Sequence, residues 1–338
     1  MKKIKYKNRL QIIILNIIML ICLVYLLPTH TQATEMNDDK RGDYVCDYNE
    51  KYDGMEIIEY NGTDKVVVIP EVIDGVPVKV IGEEVFKNKK DSFEPNKYLE
   101  EVIIPDTVLE IKEEAFFYCN KLKKVKLSKN LKVLGESAFG LCSQLKSIDL
   151  PKTISVLPEG VFSSSGLKEI TIPANVVRIK SSAFFHSALT KVTFEKGSKL
   201  ERIGTEAFEG CDKLKEINFP PSLLIIGGEA FMYCDNLKKV TFGNNSRLKV
   251  ISYYAFAESD SLEKITLPKN VKKIDSSAFR NCKSLRKVVF KGKVPSIKRN
   301  VFKGIRKNAT FKVPAKYKSK YKKKIKSRSW YKKTMKIV

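Results

Sequence analysis

One phrase recurs about every 23 residues between roughly residue 66 and residue 314, and this repeat constrains the fold more than any other feature of the chain. The phenylalanine of an Ala-Phe or Val-Phe step marks each copy. Ten such phenylalanines follow one another at separations of 30, 23, 23, 22, 24, 23, 25, 23 and 23 residues: Phe86, Phe116, Phe139, Phe162, Phe184, Phe208, Phe231, Phe256, Phe279 and Phe302. A unit this short cannot bury its apolar side alone, so successive copies must stack into a solenoid.

The clearest copy runs over residues 211–231 and predicts the structure of one turn. Ile217 and Phe219 alternate with polar neighbours, which is the period of a half-buried strand with Asn218 facing outward. A proline follows most of these strands and closes them, because proline has no N–H to offer a strand ladder. The Leu/Ile pair after the proline favours a second short strand, and the small residue before the phenylalanine leaves room for rings to stack between turns.

The complete phrase is Cys-x-x-Leu-x-x-Ile-x-Leu-Pro-x-x-Leu-x-x-Ile-Gly-x-x-Ala-Phe, and it resembles the BspA-like (Treponema pallidum type) leucine-rich repeat. The resemblance covers nearly all of the chain beyond residue 33. It implies a leucine-rich repeat solenoid of the α/β-type repeat class, with mostly short strands and turns, in about ten to eleven coils between two caps. It also implies a surface or secreted bacterial protein, since several relatives are adhesins for host matrix proteins such as fibronectin and fibrinogen.

The chain divides into four predicted segments. Residues 1–33 have a basic start, an apolar run and a small-residue cleavage site, which is typical of a signal peptide, although the long apolar run leaves an uncleaved anchor open. We expect a linker and N-terminal cap over 34–75, with Asn61-Gly62 as a turn, a repeat array over 76–314, and a basic cap or tail over 315–338. The repeats are then secreted or held on the extracellular face of the envelope, with membrane contact only through an uncleaved N-terminal segment.

Charge is concentrated at the C-terminus. The formal net charge is +25, and residues 312–338 contain twelve Lys and Arg and no acidic residue. Such a tail attracts polyanions, and an exported chain meets anionic cell-wall polymers such as teichoic acids, anionic lipid headgroups or sulfated host glycans before nucleic acid, which we do not expect as a partner. The alternative is a solubilising cap whose aromatic residues cover the last coil. The candidate binding residues of the tail are Lys318, Lys320, Lys322, Lys323, Lys324 and Arg328.

The outward positions of the strands form the second candidate surface. Extended faces of this kind are the usual binding surfaces of solenoids. Threonine also simply favours exposed strands, and lysine rows also serve as solvated cover, so a purely structural role stays open. The insertion between Phe86 and Phe116, residues 87–97, is a further candidate contact. The candidate residues on the strand face are Thr171, Thr193, Asn218, Thr241, Thr266, Lys191, Lys239 and Lys264.

The sequence offers little for catalysis. Beyond residue 33 the one histidine is His186, at a variable turn position where an exposed residue is expected. Five of the six remaining cysteines share one repeat position, so we expect buried free thiols whose parallel side chains suit neither disulfides nor a four-ligand zinc site. We therefore predict no enzyme, no cofactor and no metal.

The function that these patterns favour is a monomeric, exported surface protein that binds macromolecules through its extended strand face. A host matrix or cell-surface protein is the expected partner, which makes the chain an adhesin. The alternative is a structural protein of the cell envelope, held to anionic wall polymers by the Lys-rich C-terminus. The resemblance, not the residues, supplies the host partner.

Overall fold

The computed structural model describes residues 42–88 and 94–338, all within one compact unit, Met36–Val338. The chain winds as a β-solenoid of about 12 turns, which confirms the leucine-rich repeat solenoid predicted from the period. The count exceeds ten to eleven coils because strands of both caps continue the stack. The predicted signal peptide, 1–33, and residues 89–93 of the 87–97 insertion lie outside the described residues.

One strand in most turns carries the outward column of the repeat, and we call it the face strand. Face strands pair in parallel with those of neighbouring turns, in sheets β3-β6-β8, β11-β13 and β15-β17-β19-β21-β23-β24. Along them buried and exposed residues alternate, as Ile217 and Phe219 inside and Asn218 outside show. The face strands, numbered in chain order, are β3 Val66–Val68, β6 Glu101–Ile103, β8 Lys124–Lys126, β11 Glu169–Ile172, β13 Lys191–Phe194, β15 Glu216–Phe219, β17 Lys239–Phe242, β19 Lys264–Leu267, β21 Lys287–Phe290, β23 Thr310–Lys312 and β24 Lys336–Ile337.

A second, two-residue strand follows in the same turn, which confirms the expected return side. These return strands also pair in parallel, and seven of them, β10 to β22, form one continuous sheet. Each places its second, apolar residue inside, such as Ile226, while its first residue is half-buried, as Ile225 is, or exposed, as Arg202 is. The return strands are β7 Glu110–Ile111, β9 Val133–Leu134, β10 Val156–Leu157, β12 Arg178–Ile179, β14 Arg202–Ile203, β16 Ile225–Ile226, β18 Val250–Ile251, β20 Lys273–Ile274 and β22 Ser296–Ile297.

The N-terminal cap consists of two hairpins. Strands β1 (Tyr44–Asn49) and β2 (Gly54–Tyr60) pair antiparallel, and β4 (Val72–Ile73) pairs antiparallel with β5 (Val76–Ile81). Strand β5 then pairs in parallel with β2 and β7, which joins the cap to the array. The expectation that Asn61-Gly62 makes the hairpin turn was wrong. The first hairpin reverses between Asn49 and Gly54, where Asp53 has a φ of 50°, and Asn61-Gly62 lies in the connection from β2 to β3.

The marker phenylalanines form one continuous column through the core, as the repeat predicts. All ten are buried, and neighbouring rings stack with centroids from 4.8 Å, for Phe86 and Phe116, to 5.9 Å, for Phe139 and Phe162. Tyr60 covers the front of the column, with its ring 5.1 Å from that of Phe86. Trp330 covers the back, edge-on to Phe302 at 5.3 Å. The column therefore ends in an aromatic residue of a cap on both sides.

Two positions in each turn adopt a left-handed backbone, which the sequence pattern did not reveal. They lie two residues before and two residues after the marker phenylalanine, as Glu206 (φ 57°) and Gly210 (φ 67°) do around Phe208. Most are not glycine, and each such residue costs about 1–2 kcal/mol relative to a right-handed one. Their amides compensate by bonding the next turn: the N–H of Glu206 donates to the Gly228 carbonyl at 2.9 Å.

The repeat position shared by cysteine and serine satisfies a backbone carbonyl. The Sγ of Cys142 donates to the carbonyl of Phe116 at 3.2 Å, and Ser259 makes the equivalent bond to Phe231 at 2.8 Å. The six described cysteines are free, and burial raises the pKa of the Cys142 and Cys211 thiols to about 12. Cysteine and serine are both small hydrogen-bond donors at this position, although Ser187 lies 3.4 Å from the Cys211 sulfur and the Ser165 hydroxyl has no partner among the described residues.

One predicted face strand is missing. Residues 147–150 keep the burial pattern, with Ile148 buried and Asp149 exposed, but form no strand. The following two turns are one residue shorter before their leucine, with Ser165-Gly166-Leu167 where other turns have Cys-x-x-Leu. Strands β11 and β13 belong to these shorter turns and form a separate two-stranded sheet. Because these turns are shorter, their face strands begin at a different position relative to the neighbouring turns. Strand pairing is therefore interrupted before β11 and after β13.

The C-terminal segment packs on the last turn. After a short 3-10 helix, Ala315–Tyr317, helix α1 covers Lys318–Lys326. Tyr321 is fully buried, and its hydroxyl donates to the carbonyls of Gly292 and Lys293 at 3.2 and 3.1 Å. Strand β24 then pairs with β23. Aromatic burial and strand pairing make this basic segment part of the folded solenoid.

Candidate binding face and groove

The predicted residues of the strand face lie in register on neighbouring turns. Thr171 pairs with Thr193 across β11 and β13, and Asn218 pairs with Thr241 across β15 and β17. Thr171, Thr193 and Asn218 are exposed, whereas Thr241 and Thr266 are half-buried. The Thr241 hydroxyl donates to the Asn218 amide oxygen at 2.8 Å. The outward column therefore exists as predicted, and part of its hydrogen-bonding capacity is used within it.

The hydrogen-bonded ladder beneath the column is not continuous, although β13 and β15 remain neighbours. Thr171 and Thr193 belong to the isolated β11-β13 sheet, while Asn218, Thr241 and Thr266 belong to the sheet that begins at β15. The sequence gives both groups the same repeat position, so pattern alone could not separate them. The residues that the structure brings together are those of the second group.

A groove of about 810 Å³ opens beside the second group, and we call it the strand-face groove. Four of the predicted residues line it: Thr241, Thr266, Lys239 and Lys264. The segment after Phe242 forms part of the groove lining. It is two residues longer than the proline-containing turns, as is the segment after Phe194, and its Asn245 has a φ of 60°. Gly243 stands where most turns carry the closing proline. The missing proline was visible in the sequence, but its consequence for the surface was not.

The lysines of the face differ in their partners. Lys191 pairs with Glu169 at 3.5 Å, and Lys239 pairs with Glu216 at 3.1 Å, each across neighbouring turns. Lys264 lies in register between Lys239 and Lys287, without a salt bridge among the described residues. From β17 onward the column therefore changes from alternating charges to consecutive lysines, and the electrostatic potential of the face becomes positive.

Val289 interrupts the outward column. It holds the same repeat position as Thr266, with which it is in register, but only 7% of its surface is exposed, whereas Lys312 on the next strand is exposed. The repeat position predicts an outward side chain for Val289, and that prediction was wrong. The uninterrupted part of the column therefore stops at Thr266, and the strand-face groove lies at that end.

The candidate lysines of the tail lie on helix α1. Lys318, Lys320, Lys322 and Lys323 are exposed, and Lys324 is half-buried. Arg328 lies just beyond the helix, where its guanidinium donates to the carbonyl of Ile297 at 2.6 Å. Arg328 thus helps to fix the cap, and the four exposed candidate lysines are placed for outside contacts.

Three carboxylates form the most concentrated titratable group. Oxygens of Glu206, Glu209 and Glu229 lie within 4.8 Å of one another on adjacent turns. Burial, followed by the charges of Glu206 and Glu229, raises the pKa of Glu209 to about 7. The cluster can therefore hold a proton near neutral pH. His186 lies in an exposed left-handed turn position, as expected of a surface residue.

The fold defines a leucine-rich repeat solenoid with an outward strand face. The BspA type leucine-rich repeat region matches residues 79–215 and 201–331, in six copies. The chain therefore belongs to the BspA-type leucine-rich repeat family. Proteins of this class are in general binding proteins rather than enzymes.

Solved structures of bacterial leucine-rich repeat proteins are similar to the chain. A leucine-rich cell surface protein from Faecalibacterium prausnitzii A2-165 is 26% identical over 73% of this chain and 87% of its own, with a TM-score of 0.31. The T. pallidum leucine-rich repeat protein is 20% identical over 88% and 100%, with a TM-score of 0.34. A protein from Eubacterium ventriosum ATCC 27560 is 22% identical over 76% and 71%, with a TM-score of 0.47. No curated protein matches the chain. The family assignment rests on the repeat match.

Helix α1 spans nine residues. Across residues 42–88 and 94–338, no helix has the length and apolar character needed to cross a bilayer. The predicted N-terminal membrane contact falls on residues outside this part of the chain.

Proposed function

We propose that this chain is an exported, monomeric protein of a bacterial surface that binds a host matrix or cell-surface protein through its strand face. The observation that carries the proposal is the strand-face groove, where hydroxyl groups and lysines of neighbouring turns line one concave surface. Family membership supports it, because proteins of this class bind other proteins. The segment 1–33 supports export through its basic and apolar sequence.

The groove suits a protein partner for physical reasons. Thr241 and Thr266 offer hydroxyl groups that both donate and accept hydrogen bonds, while Lys239 and Lys264 supply long-range attraction to an acidic surface. A solenoid keeps these groups at fixed spacing, so little conformational entropy is lost when a partner docks. Thr171 and Thr193 then extend the contact at the isolated sheet and contribute less.

The test is binding of residues 34–338 to immobilised fibronectin at about 0.15 M salt, a roughly physiological ionic strength. The double variant Thr241→Glu/Thr266→Glu adds two negative charges to the strand-face groove. A matched control, Gln144→Glu/Ser155→Glu, adds the same charge at exposed positions away from the face strands. We expect saturable binding that the groove variant loses and the control keeps. Equal binding by both variants would contradict a role for the groove.

A second candidate function is a structural protein of the cell envelope, favoured by the five exposed lysines of helix α1. Deleting 315–338 cannot test it cleanly, because Tyr321 and Trp330 seal the last turn. Replacing Lys318, Lys320, Lys322 and Lys323 with glutamine removes four exposed positive charges of the helix and leaves the aromatic contacts in place. Release of this variant from the envelope into the medium would favour the candidate, and unchanged retention would oppose it.

A further inference from the structure

A second groove, which we call the basic groove, runs along the edge where face strands continue into return strands. Its volume is about 830 Å³. It adjoins the strand-face groove, and the two share Lys269 and Lys291. Its lining contains no residue of the outward column and none of helix α1. The six cations that line it are Arg247, Lys249, Lys269, Lys272, Lys291 and Lys293.

The six cations of the basic groove have no acidic partners among the described residues. All six are exposed, and none takes part in a salt bridge there. No aspartate or glutamate lines the groove. The same repeat position that carries Lys249 and Lys272 carries Glu201 in an earlier turn, so the clustering is not imposed by the fold. Unpaired like charges at this density repel one another, and the binding of an anion lowers this repulsion.

The geometry favours a long ligand. The groove crosses three turns, and neighbouring strands lie about 4.8 Å apart, so the six cations spread over roughly 10 Å along the solenoid axis. A small anion would engage only one or two of them. A linear polymer running along the groove engages all six, and each contact releases a counterion.

The remaining lining identifies the kind of polymer. Asn270, the half-buried side chains of Val294 and Tyr317, and the adjoining hydroxyl groups of the strand-face groove offer hydrogen bonds and small apolar surfaces. These groups suit the hydroxyl groups and ring faces of sugars. Tyr317 is the single aromatic residue in the lining, which is too few for the stacked bases of a single-stranded nucleic acid. The density of cations matches a polymer with several anionic groups per disaccharide better than a polyol phosphate with one per monomer.

We propose that the basic groove binds a linear sulfated polysaccharide, with lysine and arginine side chains pairing with sulfate groups along the chain. The site adjoins the strand-face groove, but none of its six cations is among the residues proposed to bind protein. If the basic groove does not bind such a polysaccharide, the strand-face proposal still stands, because the variants below change none of Thr241, Thr266, Lys239 and Lys264.

The experiment measures the affinity of residues 34–338 for heparin as a function of salt concentration. The variant Lys249→Gln/Lys272→Gln/Lys293→Gln removes three charges found in the basic groove and not in the strand-face groove. The control Lys132→Gln/Lys152→Gln/Lys196→Gln removes three exposed charges from earlier turns. Thermal unfolding checks that both variants fold like the unaltered chain.

We expect the groove variant to bind heparin about tenfold more weakly at 0.15 M salt and with a shallower dependence on salt, because fewer counterions are released. The control should keep the affinity of the unaltered chain to within about twofold, since its sites lie beyond the roughly 8 Å screening length from the groove. An equal loss in both variants would show that net charge alone attracts heparin and would overturn the proposal. So would an unchanged affinity of the groove variant.

Competition distinguishes the ligand class. Chemically desulfated heparin should fail to displace bound heparin from the unaltered chain. A polyol phosphate and single-stranded DNA, each added at the same concentration of negative charge, should displace it less well than heparin itself. Displacement by either polymer as efficient as by heparin would contradict a site built for sulfated sugars.

Discussion

The front and the back of the solenoid share one core and differ in charge. The phenylalanine column continues unchanged from Phe86 to Phe302. Residues 1–238 contain 33 Lys and Arg against 34 Asp and Glu, whereas residues 239–338 contain 30 Lys and Arg against 4 Asp and Glu. In the front turns a glutamate of one turn meets a lysine of the next, as Glu101 meets Lys124 at 3.4 Å. In the back turns Lys264 lies between Lys239 and Lys287 on the face strands, and the pairs that remain there include Lys283 with Asp260 and Arg286 with Glu263.

This difference indicates that the residues that stabilise the fold are not the residues available for binding a partner. Exposed pairs such as Glu101 with Lys124 each contribute about 0–1 kcal/mol, so losing them costs the back turns little stability. The core contributes most of the stability, and it is the same throughout. Surface positions of the repeat are therefore free to vary, and the unpaired cations at the back collect around the two grooves.

The largest expected effect tests whether the core is equivalent in both regions. Phe139→Ala at the front and Phe279→Ala at the back each remove a fully buried ring stacked on both sides. We expect each to lower the free energy of unfolding by about 3–5 kcal/mol, from lost burial and the cavity left behind. Denaturant unfolding measures both. A cost confined to one region would show that the two cores are not equivalent.

The cysteine position provides a second comparison of the core. Cys142→Ala at the front and Cys282→Ala at the back remove the donors to the Phe116 and Phe256 carbonyls. We expect each to cost about 1–3 kcal/mol, because a buried carbonyl loses its partner. The serine variants are the controls, since Ser259 already makes this bond. Serine variants as unstable as the alanine variants would show that sulfur packing, not hydrogen bonding, fixes the residue.

The acidic cluster in the middle of the array should make the stability of the chain depend on pH. Because the folded-state pKa of Glu209 is raised to about 7, the folded chain binds this proton more tightly than the unfolded chain. The stability that protonated Glu209 adds to the folded chain is complete below the unfolded carboxyl pKa of about 4.3 and is lost as the pH rises through 7. The variant Glu209→Gln should therefore exceed the unaltered chain in stability at pH 8 and lose this advantage at pH 5. Unfolding at the two pH values measures it, and a pH-independent difference would contradict it.

The smallest effect concerns the charge columns themselves. Lys264→Glu places an acid between Lys239 and Lys287, and we expect it to raise the free energy of unfolding by about 0.2–1 kcal/mol at low salt. At the front, Lys191→Glu breaks the pair with Glu169 and should lower stability by a similar amount. Both effects should shrink as salt rises. If both substitutions changed the free energy of unfolding in the same direction, the proposed difference in surface charge between front and back would be contradicted.

The sequence predicted the repeating part of this molecule well, because a period of about 23 residues fixes burial at every position. The inward Ile217, the stacked phenylalanines and the buried Cys142 all follow from it. The turn at Asn61-Gly62 was misplaced because the cap is not part of the period and local propensity was the single guide there.

The candidate site was harder to predict because it depends on departures from the repeat. The lengthened segment after Phe242 lines the strand-face groove, and the shortened turns at Ser165 and Ser187 carry β11 and β13, which form a two-stranded sheet. Both were present in the sequence as irregular spacings. Their effects depend on how neighbouring turns pack, as does the burial of Val289. The repeat therefore predicted which residues face outward, and the structure was needed to show which of them share a surface.

The most direct test of the strand-face proposal is lysine acetylation footprinting of residues 34–338 with and without bound fibronectin. If the back of the face is the binding surface, Lys239 and Lys264 lose reactivity in the complex, while Lys191 and Lys124 react as in the free protein. Protection of Lys124 and Lys191 with unchanged reactivity at Lys239 and Lys264 would place the partner on the front turns and contradict the proposal.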